Sequence, residues 1–437
     1  MSDAPDAPDA PDKVREQCIE PRRPDRRRFL ASMLAAPLLP LVSRVVSADV
    51  LSRLATYRSR DHIVVVGAGV FGGWTALALL RAGARVTLID AWGAANSRAS
   101  SGGETRVIRA VYNGQPLYSQ MVARALVLWH EEEQRWQRQV LFPIGALWMC
   151  SDDDSFVRKS IAPMKAVDLP IDELTPADAR RRYPQMGFDG VQSVFFEARA
   201  GYLLARLSCE LVRETFVREG GEYKVALVRP GASSGARMAG VTLSDGSTID
   251  ADQLVFACGP WMGQVFPDAI GRRIVATRQE VFFFGVPAGS TRYDPGPCPA
   301  WVHISDRIVY GIPGNERRGM KVADDSAGEE VNPTTMDRAP SAAGLANARR
   351  IVRERFPGLS DAPLVESRAC QYEESSDGNY LIDRHPSLEN VWLVGGGSGH
   401  GFKMGPALGE HVAALVQGRA TVYPLFAYGR LRPRPSL

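Results

Sequence analysis

Apolar runs and their spacing divide the chain into elements. His62–Val66 is a β-branched apolar run of the kind buried on both faces of a sheet. Gly67, Ala68 and Gly69 follow at once, then Gly72 and Gly73, and the apolar spacing of residues 74–81 predicts a helix that Gly83 ends. Residues 85–90 predict a second strand with Asp90 at its end. Two later runs, 254–259 and 391–394, have the same buried-strand character. The first follows a hairpin pattern, residues 240–243 and Ile249 about an Asp245-Gly246 turn. The second leads into the glycine-rich stretch 395–401 and a helical pattern over 406–416. Residues 147–149, 280–286 and 308–312 have another character and predict strands of an antiparallel sheet that alternates along the chain with the first set. The fold class expected is α/β, α+β overall: a Rossmann-like nucleotide-binding domain over 60–140, 189–265 and 366–420, with a discontinuous antiparallel-sheet domain over 141–188 and 266–365.

Composition changes this picture little. The net charge is +3, and Arg22, Arg23, Arg26, Arg27 and Arg28 place much of the positive charge ahead of the first strand. No Lys/Arg run interleaves with aromatics in the body of the chain, which argues against a nucleic-acid partner. The Ala-Pro-Asp repeat up to Asp12 cannot bury a core and is expected to be disordered. After it come Arg26, Arg27, Arg28, Phe29 and Leu30, an apolar run over 34–46, and Val46-Ser47-Ala48 as a cleavage site. Residues 1–48 therefore read as a disordered arm and a twin-arginine signal, implying the twin-arginine export machinery as a partner and a periplasmic or otherwise exported protein. The alternative is a basic arm followed by a short helix in a cytoplasmic protein. The apolar run falls short of the ~20 residues of a membrane span, and Arg44 interrupts it, so no stable membrane insertion is expected. The six cysteines are scattered without a CxxC pair, and no residues are assigned to a metal.

Gly67, Gly69, Val70, Phe71 and Gly72, placed between a strand and a helix and followed by Asp90, form a dinucleotide-binding unit. The glycines make the tight turn and bring the backbone close to a pyrophosphate at the helix N-terminus, and Asp90 would accept from ribose hydroxyls. FAD and NAD both satisfy that unit. The two later strand returns favour FAD, because they resemble those that bring the chain back beside the cofactor in two-dinucleotide-type folds.

Three further segments carry a resemblance over most of the chain from Asp61 onward. They are Arg368-Ala369-Cys370-Gln371-Tyr372, the run containing Gly397, Gly399, His400, Gly401 and Lys403, and Ser101-Gly102-Gly103-Glu104-Thr105-Arg106-Val107-Ile108-Arg109. With the fingerprint they resemble the monomeric sarcosine oxidase and N-methyltryptophan oxidase group of FAD-dependent, D-amino-acid-oxidase-type enzymes. The resemblance implies FAD joined through its 8α-methyl to Cys370, and cofactor contacts from the 397–403 run. It implies Arg106 beside the flavin, Arg109 and Lys403 on a substrate carboxylate, Lys321 promoting reaction with O2, and Tyr310 on the substrate side. Taken alone, Cys370 would read as a small buried hydrophobe and either lysine as a surface residue. Arg106 and Arg109 are three apart, so on one helical turn they would point the same way.

Two positions depart from the group. A flavin-proximal His falls at Gly102 and an active-site His at Asp325, where the run 321–325 is closer to that of fructosyl-amino-acid oxidases. The expected activity is FAD-dependent oxidation of a secondary amine or N-substituted amino acid, with imine hydrolysis and O2 reduced to H2O2. The alternatives are a fructosyl-amino-acid-type oxidase, a flavin dehydrogenase using another acceptor and, from another class, a non-enzymatic flavin-binding protein.

Overall fold

The structure is a computed structural model that describes residues 61–326 and 328–434. The expected export signal lies outside the described residues. The first expected strand forms the centre of a six-stranded sheet in the order Leu381–His385, Leu388–Gly395, Gln253–Phe256, His62–Val66, Arg85–Asp90, Glu222–Val225. All pairings are parallel except the hairpin at one edge. Every residue of His62–Val66 is buried, as expected of a strand covered on both faces. The helix after it begins earlier than residue 74: Val70–Arg81 takes in Gly72 and Gly73. Those glycines are what let it pack closely, since a Cβ at Gly72 would overlap the Gly67 carbonyl oxygen. Helix Gly405–Val416 lies against it, with Gly409 admitting the Trp74 backbone.

The second sheet has eight strands in the order Leu364–Ser375, Ile274–Phe284, Met320–Asp324, Ile308–Ile312, Ala300–Ile304, Ala146–Cys150, Ser193–Glu197, Asp172–Leu174. It is antiparallel apart from the pairing of Ala300–Ile304 with Ala146–Cys150. Helix Ala342–Arg355 covers one face, where Ala348, Ile351 and Val352 share a core with Phe282, Phe284 and Val322. Paired residues share a face, so Gln279↔Cys370, Thr277↔Tyr372, Phe283↔Lys321 and Ala323↔Tyr310 put Cys370, Tyr372, Lys321 and Tyr310 together on the other face.

Two expected domain boundaries cut through this sheet. Leu364–Ser375 and Ser193–Glu197 belong to the eight-stranded sheet, although the 366–420 and 189–265 segments were expected in the nucleotide-binding domain. Apolar patterning identifies a strand but not its partners, and these strands pair with segments about ninety and about fifty residues earlier in the chain.

Candidate active site

A cavity of about 510 Å³ opens at the carboxyl ends of the parallel strands. That is where open α/β sheets bind ligands. Gly67, Gly69, Val70, Phe71 and Asp90 line it, with Ser100, Ser101, Trp92, Cys258, Trp261 and Glu373. Gly67 has φ +104°, and a Cβ there would overlap the Ala257 carbonyl oxygen, so both conformation and space require glycine. Asp90 accepts from the Ala68 amide (2.8 Å) and the Trp92 amide (2.9 Å), which fixes its carboxylate at the cavity wall. Burial pushes that carboxyl up while the amides hold it down. Ser101 Oγ accepts from Val70 N–H at 3.1 Å and so ties the 96–101 loop to the helix N-terminus. Among the described residues, buried Ser100 Oγ and Glu373 Oε2 have no hydrogen-bond partner. Gly72 acts through helix packing and does not line the cavity.

The second feature is a buried basic cluster on the inner face of the eight-stranded sheet. Lys321 is 2% exposed and donates to the Thr105 carbonyl at 3.0 Å. Burial, then the Arg106 guanidinium, pushes its ammonium down to about 7. Arg106 donates to the carbonyls of Thr105 (2.8 Å) and Ser100 (2.6 Å). Cys370 is 8% exposed beside Arg106, Lys321, Tyr310 and Tyr372. Tyr372 O–H donates to Asp325 Oδ1 at 2.9 Å. Asp325 therefore faces this cluster rather than solvent. Burial pushes its carboxyl up, against the Tyr372 bond and the charges of Arg109 and Lys403. Burial of Tyr310 raises its phenol as well, and Asp325 adds to that.

Arg109 and Lys403 meet at Tyr112. The Arg109 guanidinium lies 4.5 Å from the ring centre and donates to the Val111 carbonyl. Lys403 Nζ donates to the Tyr112 hydroxyl (3.0 Å) and the His400 carbonyl (2.7 Å). Burial and Arg109 push Lys403 well below its ordinary range, with Asp325 and Glu197 opposing. Buried Glu197 accepts from the Ala110 amide at 2.6 Å, and burial raises it to about 7. His400 is held by its own neighbours: Nε2 donates to the Gly378 carbonyl (2.9 Å), so Nδ1 accepts from Tyr380 O–H (2.8 Å). Burial depresses it to about 3, and the ring is neutral.

The expected common direction of Arg106 and Arg109 does not hold. Thr105–Ile108 is a strand, paired with Gly201–Leu204. Three residues along extended backbone reverse the side chain, so Arg106 joins the Lys321–Cys370 group and Arg109 the Lys403–Tyr112 group. The 397–401 run lies beside the cavity wall: Gly397 and Gly401 abut Phe71, and Gly399 abuts Tyr372. At Gly102 a Cβ would overlap the Asn96 carbonyl oxygen, so the tight 96–102 turn admits no side chain where the resemblance places a histidine. Tyr112, Glu197, Glu373 and Glu374 were not singled out from sequence. Strand alternation after Cys370 was the signal for the last two. Nothing local marked Tyr112 or Glu197.

The sequence matches the family described as FAD dependent oxidoreductase over residues 62–415. Among curated proteins it is 28% identical over 384 residues to the monomeric sarcosine oxidase of Streptomyces avermitilis, covering 86% of this chain and 98% of that one. It is 25% identical over 379 residues to the N-methyl-L-tryptophan oxidase of Yersinia pestis, covering 85% and 99%. The fold is similar to that of L-proline dehydrogenase from P. horikoshii, with TM-score 0.74, 21% identity and coverage of 85% and 99%. It is also similar to a modified fructosyl peptide oxidase from Aspergillus nidulans, with TM-score 0.75, 20% identity and coverage of 86% and 94%. The cavity fits FAD on its own terms. The Gly67–Val70 turn suits a diphosphate, Asp90 suits a ribose, and the buried Ser100 and Glu373 oxygens await partners. A dinucleotide cradle at the strand ends shares Ser100 with the buried basic cluster, since the Ser100 carbonyl accepts from Arg106, and this arrangement accompanies a sequence match over residues 62–415: the chain belongs to the FAD dependent oxidoreductase family.

Proposed function

We propose that the protein is an oxidase of N-substituted amino acids whose substrate carries a carboxylate and a polar or cationic group. The observation that carries this reading is the meeting of Arg109 and Lys403 at Tyr112: among the described residues neither cation forms an ion pair. Such charges are costly to bury without an anionic partner, and a substrate carboxylate supplies one, with the guanidinium fork and the ammonium fixing its orientation. The relatives named sarcosine oxidase and N-methyl-L-tryptophan oxidase support a substrate of this class. Bound FAD would supply the redox chemistry, a two-electron oxidation at the carbon next to nitrogen with O2 as final acceptor and H2O2 as product. The imine formed from the substrate hydrolyses in water to a carbonyl compound and a freed amine.

The chain's own residues orient and stabilise. Lys321, beside Arg106, holds positive charge where reduction of O2 develops negative charge. Cys370 is the attachment point for the 8α-methyl of the flavin, a reading supported by its place among Arg106, Lys321 and Tyr372. Tyr310 and Tyr372 flank the substrate side with Asp325, and Glu374 adds a second carboxyl near Asp325, raised by burial to about 7. These acids favour ammonium, guanidinium or sugar hydroxyl groups over the bare methyl of sarcosine. The test compares kcat/KM for sarcosine with that for larger polar and glycated N-substituted amino acids, in wild type and Asp325→Asn. Preference for the larger substrates, reduced by Asp325→Asn, is expected. Sarcosine as best substrate in both proteins overturns the specificity reading and leaves the oxidase reading standing.

We also propose export through the twin-arginine route. It is supported by Arg26, Arg27 and the apolar run that follows, and by the ability of that route to carry a protein already folded around its cofactor.

A further inference from the structure

The strand that carries Cys370 presents a second chemistry on its other face. Alternation turns Cys370 and Tyr372 toward the basic cluster and Gln371 and Glu373 toward the nucleotide-binding turns. Glu373 is 8% exposed and lines the 510 Å³ cavity. Its carboxyl sits where the two returning strands end, abutting Gly395 and Gly397 on one side and approaching Gly259 on the other. The amides of Gly397 and Gly396 act on the carboxyl, whereas Oε2 has no hydrogen-bond partner among the described residues.

The groups acting on it bring no positive charge, and Arg229, the basic residue in the cavity lining, is exposed and does not act on it. From the turn after Gln253–Phe256 comes the Cys258 thiol, itself pushed up by burial and by both Asp90 and Glu373. From the end of Arg85–Asp90 comes the Asp90 carboxylate, across the cavity. From its own strand comes Glu374. Helix Val70–Arg81 contributes only Phe71, near Gly397. No basic side chain is among the groups that act on Glu373. A cofactor diphosphate entering this cavity brings further negative charge, so a carboxylate at Glu373 would be repelled, whereas a carboxylic acid would donate a hydrogen bond.

We propose that Glu373 holds FAD as a neutral acid, its Oε2–H donating to an oxygen of the ribityl-diphosphate, so that cofactor binding takes up one proton. The proposal rests on FAD occupying this cavity. The balance is simple: carboxylate, proton and FAD become carboxylic acid and complex, with no bond to FAD made or broken. Burial, opposed by the Gly397 and Gly396 amides and aided by Glu374, already brings the free carboxyl to about 7. The bound form lies higher, so affinity is complete below about pH 7 and is lost as pH rises, by about tenfold per pH unit until the bound form itself ionises.

The test uses the full chain with Cys370→Ala, in which FAD exchanges reversibly, with and without Glu373→Gln. FAD affinity is followed by flavin fluorescence from pH 6 to 9, and protons taken up at pH 8 are counted by calorimetry in HEPES and in Tris. The Glu373 chain is expected to weaken about tenfold per unit above pH 7 and to take up close to one proton. Glu373→Gln keeps a donor without the charge, and is expected to hold its pH 6 affinity throughout and take up none. Affinity that is flat or rises with pH in the Glu373 chain overturns the proposal, as does an unchanged slope in Glu373→Gln. If Glu373→Gln does not fold, Glu373→Ala takes its place: loss of the proton uptake is expected, and an uptake unchanged from the Glu373 chain overturns the proposal. A folded chain that binds FAD at no pH overturns instead the siting of FAD in this cavity.

Discussion

Replacing Lys321 by methionine separates the two halves of the proposed reaction. Among the described residues the lysine donates only to the Thr105 carbonyl, which also accepts from Arg106, so Thr105 keeps a partner when the ammonium is removed. Methionine fills similar volume, and losing one hydrogen bond costs about 1 kcal/mol, offset by relief of a buried charge beside Arg106. Stability should therefore change little. The oxygen reaction should change a great deal. Loss of one preorganised charge aimed at developing negative charge typically costs ~10²–10³ in rate. The structure adds a pH dependence. Burial and Arg106 bring the ammonium to about 7, so about nine-tenths of it is charged at pH 6 and about a tenth at pH 8. The depressed value fixes the sign: the charge is present below pH 7 and lost above it. Wild-type reoxidation should therefore fall about tenfold per unit above pH 7 towards the level of Lys321→Met, which should itself be flat. Negative charge on the reduced cofactor would move the fall to higher pH without changing its direction. The assay is stopped-flow mixing of the anaerobically reduced enzyme with oxygenated buffer over pH 5.5–9.5, with the reductive half-reaction measured separately. An equal loss in both half-reactions, or a wild-type profile as flat as the variant's, would refute the assignment of Lys321 to the oxygen step.

Three other outcomes are expected. Acid-precipitated wild type should remain yellow and Cys370→Ser should release its flavin, whereas a colourless wild-type precipitate removes the covalent link. Arg109→Met should raise KM by ~10- to 150-fold, the equivalent of the roughly 1.5–3 kcal/mol of a charge-assisted contact; an unchanged KM for carboxylate substrates would place the carboxylate elsewhere. Arg26→Lys with Arg27→Lys conserves charge while altering the motif, and should abolish export. Normal appearance of that variant in the periplasm removes the signal reading.

The nucleotide-binding half of this molecule was legible because its information is local. A buried strand, a glycine turn, a helix and a strand-end aspartate lie within thirty residues, and the turn has a backbone geometry that glycine satisfies best: Gly67 sits at φ +104°. The catalytic half was legible only as a resemblance, because its contacts are distant in sequence. Lys321 meets Thr105 across 216 positions and Lys403 meets Tyr112 across 291, so no window of sequence shows that these lysines are buried. The arginine pair shows a different limit. Spacing of three means one direction on a helix and opposite directions on a strand, and the short run 105–108 carries no periodicity able to decide. The opposite directions are the more useful arrangement. Burial and the neighbouring Arg106 depress the Lys321 ammonium and so place its titration near neutral pH, while Arg109, turned away, stands with Lys403 at Tyr112. Had both arginines faced one group, Lys321 would be pushed lower still and the Lys403 site would lose the guanidinium fork. The strand therefore divides positive charge between the Lys321 group and the Lys403 group, and if these serve the proposed oxygen and substrate steps, a single insertion within 105–108 should impair both half-reactions, where Lys321→Met impairs one.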